Sequence, residues 1–219
     1  MSAIPVRFHS EQMTYTTVRI ECDLSDGDVS IGTAFFFQFP RGPDHNIAVL
    51  VTNRHVIEGS THLRIRLLTK KPDGSPNHRD QVQFDLPIAD AQWKRHPNSE
   101  IDLAILPAGP LLKEMKNRNK PPFVVALHPD DLPTPQQLAD LGAVENVIMV
   151  GYPNGLWDER NNLPVARAGI TATHPAIDYN GNPEFMIDAA CFSGSSGSAL
   201  PKDLKPPPPI AAQRRLIAR

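Results

Sequence analysis

A chain of 219 residues, 40% hydrophobic and 21% charged, can bury a sizeable core in one or two domains, which excludes wholesale disorder. Its 22 basic and 24 acidic side chains leave a net charge of −2, so no overall field draws it to nucleic acid or to an anionic membrane. Proline, with 23 residues, stands at about double its usual share and argues for strands broken by loops over long helices.

No apolar run approaches the ~18 residues of a membrane span. Residues 1–13, MSAIPVRFHSEQM, show no charged region leading into an apolar one, so no secretory signal is expected. Cys22 and Cys191 are the two cysteines. A pair cannot build a disulfide framework or a cysteine-based zinc finger, and the chain reads as a cytoplasmic protein with two reduced thiols.

Period-two alternation dominates from there. Val18, Ile20 and Cys22 share one face of a strand, with Arg19 and Glu21 on the other, and Asp26-Gly27 marks a tight turn. Residues 29–39 predict the next strand, and the unbroken apolar run 47–53 predicts a buried one. Leu63, Ile65 and Leu67 alternate with polar residues. The stretch 71–80, KPDGSPNHRD, reads as a turn-rich connection, after which Val82, Phe84 and Leu86 alternate again. Residues 101–106 predict a short strand. The first half is thus a series of antiparallel strands, as in a barrel or sandwich.

The charged stretch 111–122 ends in two prolines and reads as linker. Thr134-Pro135 with Gly142 beyond predicts a short capped helix. Strands are expected again over 145–153, 163–173 and 183–190. Segment 201–219 differs in kind, with four consecutive prolines at 206–209. Its Lys202, Lys205, Arg214, Arg215 and Arg219 stand against Asp203 alone, a net +4. Such a run favours polyproline II and pairs poorly in a sheet, so a solvated, disordered tail is expected, with a proline-binding groove as a conceivable partner.

Three residues could carry chemistry together. Ser196 lies in FSGSSGSAL (192–200), where flanking glycines allow a tight turn that exposes a hydroxyl. A serine needs a base to be a nucleophile, and the base needs an orienting carboxylate. His55, in LVTNRHVIEG, sits where a buried strand ends. Asp102, in SEIDLAIL, heads an apolar strand, where a carboxylate requires a partner. The chain order His55, Asp102, Ser196 excludes the arrangements in which serine precedes the acid and histidine, or in which the acid comes first.

In that order, the segments IGTAFFFQF, LVTNRHVI, IDLAIL, VGYPNG and GSSGSAL resemble those of the trypsin-like serine peptidases of the chymotrypsin clan, over roughly residues 14–200. The resemblance implies an all-β fold of two antiparallel β-barrels of chymotrypsin type. The first spans 14–108 and carries His55 and Asp102. After a linker over 109–122, the second spans 123–200 and carries Ser196; residues 201–219 are the tail.

The same resemblance implies Ser196 as nucleophile, His55 as general base and then acid, and Asp102 as the group that holds the imidazole. The backbone N–H groups of Gly194 and Ser196 would form the oxyanion hole. Ala190, six residues before Ser196, would floor the S1 pocket and offers no anchor to a basic P1 side chain. Ser195 stands where secreted relatives carry an activating Asp, so zymogen activation of that kind is not expected. Cys191 stands where those relatives often carry half of a disulfide, and no Cys22–Cys191 bridge is expected.

Relatives continue past the serine with strands that close the second barrel and wall S1, whereas here the proline-rich segment follows. The expectation is an incomplete second barrel, an open edge that could recruit a partner, and weak activity. The substrate implied is a peptide or protein. No metal or cofactor is expected, given no HExxH, no CxxC and no glycine-rich phosphate loop. Neither is a membrane or a nucleic-acid partner, since aromatics are 6% and no basic stripe interleaves them. The competing reading is an impaired or non-enzymatic peptide-binding module that keeps the three residues.

Overall fold

The computed structural model of the chain describes residues 9–42, 45–153, 156–190, 194–198 and 215–218, with 9–10 and 215–218 given by their backbone. Helix α1 (His9–Thr16) leads into β1 (Thr17–Leu24), β2 (Val29–Pro40) and β3 (Asn46–Thr52). A one-turn helix α2 (Arg54–Ile57) precedes β4 (Ser60–Lys70), β5 (Pro76–Pro87), β6 (Lys94–Arg95) and β7 (Ala104–Pro107). These seven strands form one antiparallel sheet in the order β5-β4-β1-β2-β3-β7-β6.

Alternation explains its inner face. Val18, Ile20 and Cys22 of β1 pack with Leu63, Ile65 and Leu67 of β4 and with Val82 and Phe84 of β5 in one core. The register places Ile20 opposite Ile65 and Cys22 opposite Leu63. β2 is buried on both faces, which is why its apolar run is unbroken. Ala34 and Phe36 enter that first core, while Phe35 and Phe37 join Met13, Val49, Leu127 and Val150 on the other side. The second cluster joins the first half of the chain to the second. Burial pushes the free Cys22 thiol up to about 12, so it is packing material and not a nucleophile. Cys191 lies outside the described residues.

Two expectations change here. The connection over 71–80 is shorter: β5 starts at Pro76, and a register shift between Leu68 and Thr69 absorbs the irregularity. The segment 109–122 holds helix α3 (Gly109–Asn117). Its Leu111 and Met115, one turn apart, are buried in the first core, so this stretch is part of the folded body. Helix α1 was not foreseen.

Helix α4 (Pro135–Ala139) forms as expected. Thr134 Oγ1 accepts from Gln137 N at 3.2 Å, and Gln137 Oε1 accepts from Thr134 N at 2.8 Å, a reciprocal capping box. The second half then builds β8 (Asn146–Gly151), β9 (Val165–Thr171), β10 (Glu184–Ala189) and β11 (Arg215–Ala218) in the order β11-β10-β9-β8. The first three pair antiparallel around Val147, Phe185, Ile187 and Ala189. The segment expected to be a solvated tail contributes β11, parallel to β10 with Glu184 opposite Arg215; its other residues lie outside those described. Among the described residues the second barrel is incomplete, as expected. No described helix is long and apolar enough to cross a membrane.

Candidate active site

β3 ends at Thr52, and Asn53, with extended backbone, begins α2. Val56 and Ile57 bury this helix against the first sheet, which leaves His55 on the outside with its side chain 56% exposed. The docking requires a glycine beneath. A Cβ on Gly32 would lie 2.4 Å from Val56 Cγ1, too close for any side chain.

Asp102 lies two residues before β7, its side chain only 15% exposed. Its carboxylate is surrounded by donors. Oδ1 accepts from the His55 N–H at 3.0 Å, and Oδ2 accepts from Asn53 Nδ2 at 3.2 Å and from His55 Nδ1 at 2.5 Å. The Asp102 carbonyl accepts from Asn53 Nδ2 at 2.8 Å and from the Arg54 N–H at 3.3 Å. These bonds offset the cost of withdrawing the charge from water. A carboxylate only accepts, so the neutral imidazole carries its proton on Nδ1 and keeps a lone pair on Nε2. That nitrogen lies 2.9 Å from Ser196 Oγ.

Ser196 sits in a turn closed by Ser198 N–H donating to the Ser195 carbonyl at 3.0 Å. The peptide is planar, so the Ser196 N–H points the opposite way from that carbonyl. One buried residue of β2, Thr33, fastens the turn. Its N–H donates to the Ser196 carbonyl at 2.9 Å and its hydroxyl to the Gly194 carbonyl at 3.1 Å. The same hydroxyl accepts from Tyr152 N–H at 3.0 Å, and the Thr33 carbonyl accepts from Thr52 Oγ1 at 2.8 Å. Gly197 has φ +81°, and a Cβ there would lie 1.9 Å from the Thr33 carbonyl oxygen. Conformation and contact both demand glycine.

The structure therefore brings together His55, Asp102 and Ser196 from three segments and two sheets. Gly194 lies in the same turn. Ala190 is exposed just beyond β10, and its carbonyl accepts from Arg167 Nη1 of β9 at 2.8 Å. Sequence reading missed Asn53 and Thr33. A polar residue directly before the histidine turn was the one available signal for Asn53.

Residues 32–203 match the trypsin-like peptidase domain. No curated protein matches the chain. Among solved structures, the chain is similar to a substituted form of the HtrA-type protease AlgW with tripeptide, at 19% identity and a TM-score of 0.50, covering 87% of this chain and 48% of that one. It is also similar to the active form of the Rv3671c protease from M. tuberculosis, at 18% identity and a TM-score of 0.46, over 91% of this chain and 72% of that one. The chain thus spans about half the length of the AlgW structure. The likeness to AlgW is one of fold, two β units of chymotrypsin type.

Proposed function

The chain belongs to the trypsin-like peptidase family, and from that premise we propose that it is a serine endopeptidase working through an acyl-enzyme. The observation that supports this is the continuous relay from Asp102 through His55 to Ser196, with links of 2.5 and 2.9 Å. Ser196 Oγ attacks the scissile carbonyl carbon while His55 Nε2 takes its proton. Asp102 stabilises the imidazolium that results. The N–H groups of Gly194 and Ser196 receive the negative oxygen, a donor pair of which each member is typically worth ~10²–10³ in rate. Collapse breaks the C–N bond, and His55 passes its proton to the leaving amine. Water then attacks the acyl group with His55 again as base, which releases the new carboxylate and restores Ser196.

A fluorophosphonate probe tests the reading on the full chain. Stoichiometric labelling mapped to Ser196 by mass spectrometry is expected, slowed by peptide substrate; folded protein that stays unlabelled refutes it. A second reading, a peptide-binding module without turnover, draws on the incomplete second sheet, whose edge could pair with an extended peptide. Peptide binding without labelling is its signature.

The docking of the serine turn on Thr33 supplies a further expectation. Gly197→Ala forces the turn away from β2, and a displacement of ~1 Å costs about 10²-fold in rate. We expect kcat/KM to fall by at least that much while the far-UV circular dichroism of the sheets is retained. Unaltered kinetics would mean that Thr33 does not aim Ser196.

A further inference from the structure

The loop between β8 and β9 lies over the outer face of the first sheet. Alternation makes that face polar, because Ile20 of β1 and Ile65 of β4, opposite each other, point into the first core. A cleft of about 190 Å³ remains there, lined by Arg19, Glu21, Arg64 and Arg66 of the sheet and by Trp157 and Asn162 of the loop. The Arg19 and Arg66 guanidiniums lie 5.1 and 5.5 Å from the centre of the Trp157 ring. Arg64 is committed elsewhere: Asp23 takes its two Nη groups at 2.5 and 2.7 Å, and Glu21 takes its Nε at 3.1 Å. Glu21 also pairs with Arg19 Nη1. Arg66 gives its Nε to Gln83 Oε1 at 2.9 Å, and among the described residues neither of its Nη groups has an acceptor. Asn162, only 7% exposed, donates its Nδ2 to the Arg66 carbonyl at 3.2 Å. A carbonyl only accepts, so the orientation of this amide is fixed. Asn162 Oδ1 and Arg19 Nε are both buried with no partner among the described residues.

Buried polar atoms without a partner are rare and point to a water or an ion. One water takes ~30 Å³ of liquid, so a cleft of this size holds a larger guest. Three arginines against one glutamate leave the lining at +2, which favours an anion. Asp85 faces Arg64 across the β4–β5 ladder and Glu159 lies near Arg19, but neither lines the cleft. We propose that the cleft binds a phosphate group that keeps one proton, free or as a monoester. Its charged oxygens match the guanidinium forks of Arg66 and Arg19, and its O–H donates to Asn162 Oδ1. That last bond sets phosphate apart from sulfate, which has the same tetrahedral shape and charge and no proton to give. Burial, and then the like charge of Arg66, lower the pKa of the Arg19 guanidinium, and an anion between the two relieves both costs. Arg19 stands opposite Thr33 in register, so the cleft backs onto the residue that fastens the serine turn. The site is independent of the peptidase reading, and its test reads binding alone.

Calorimetric titration of the full chain at pH 8 compares orthophosphate with sulfate. Orthophosphate is expected to bind about tenfold or more tightly than sulfate, the scale of one buried acceptor left unmet. Equal binding of the two anions overturns the proposal, and so does the absence of binding by either. Methyl phosphate separates the two sources, since a monoester loses its second proton near pH ~6. At pH 5.5 it still carries that proton. Methyl phosphate binding more tightly than orthophosphate there marks a monoester site, and the reverse marks a site for free phosphate. Arg66→Gln should weaken phosphate and sulfate alike. Asn162→Gly keeps the left-handed backbone of that position, φ +54°, and should bring the phosphate-to-sulfate ratio to about one. A thermal melt shows that each variant is folded. A folded Arg66→Gln that binds phosphate as the wild type does, or a folded Asn162→Gly that keeps the ratio, refutes the assigned contacts and the site with them. The wild-type ratio decides the matter should either variant fail to fold.

Discussion

Replacing Ser196 with alanine is expected to lower kcat/KM for peptide substrates by about 10⁵–10⁶-fold, the scale on which a nucleophile and its base act as a unit. In the proposed mechanism the hydroxyl attacks only as Nε2, 2.9 Å away, removes its proton, so neither group does much alone. His55→Ala should therefore cost about as much. The variant lacking both should be no worse than either, because the second loss removes nothing that still works. Full progress curves on the three proteins give the comparison. If Ser196→Ala kept more than about 1% of activity, the bond would be broken elsewhere.

Asp102→Asn should cost about 10⁴-fold with little change in fold, because asparagine has the same shape. The two oxygens of Asp102 both accept, one from the His55 N–H and the other from Nδ1 and Asn53. Asparagine can keep one acceptor and must turn an NH₂ toward one of these donors. With the oxygen on the main-chain N–H, the NH₂ faces Nδ1 and drives the imidazole proton to Nε2. That nitrogen then offers Ser196 no lone pair. The measurement is kcat beside a thermal melt. A matching loss of stability would instead make Asp102 chiefly a structural anchor, and an unchanged kcat would remove it from the relay.

Legibility in the sequence followed the range of the interactions. Val18, Ile20 and Cys22 could be read as an inward face because a strand repeats every two residues, and the burial follows that pattern. Three residues, His55, Asp102 and Ser196, stood out through order and local context. Thr33 and Asn53 did not, because they act on partners 161 and 49 positions away through bonds that leave no local pattern. Helix α3 was hidden by its charge: Lys113, Glu114 and Lys116 dominate the stretch, while Leu111, Leu112 and Met115 hold it to the core. β11 was masked by the prolines before it, since they say nothing of RLIA itself.

The fastening of the serine turn to Thr33 also sets a schedule for synthesis. Base and carboxylate meet within the first sheet, from residues only 47 positions apart. The nucleophile needs the far turn, held through Gly194 by Thr33, 161 positions earlier. At ~5–20 residues per second, the 94 residues between Asp102 and Ser196 take about 5–20 s to emerge from a ribosome. Throughout that interval the chain displays unpaired strands, the best substrates for a peptidase, yet holds a histidine with nothing to activate. On the proposed peptidase reading, cutting power is acquired only once β2 is in place to receive the turn. On that reading a nascent chain would be protected from itself and from its neighbours on the same message.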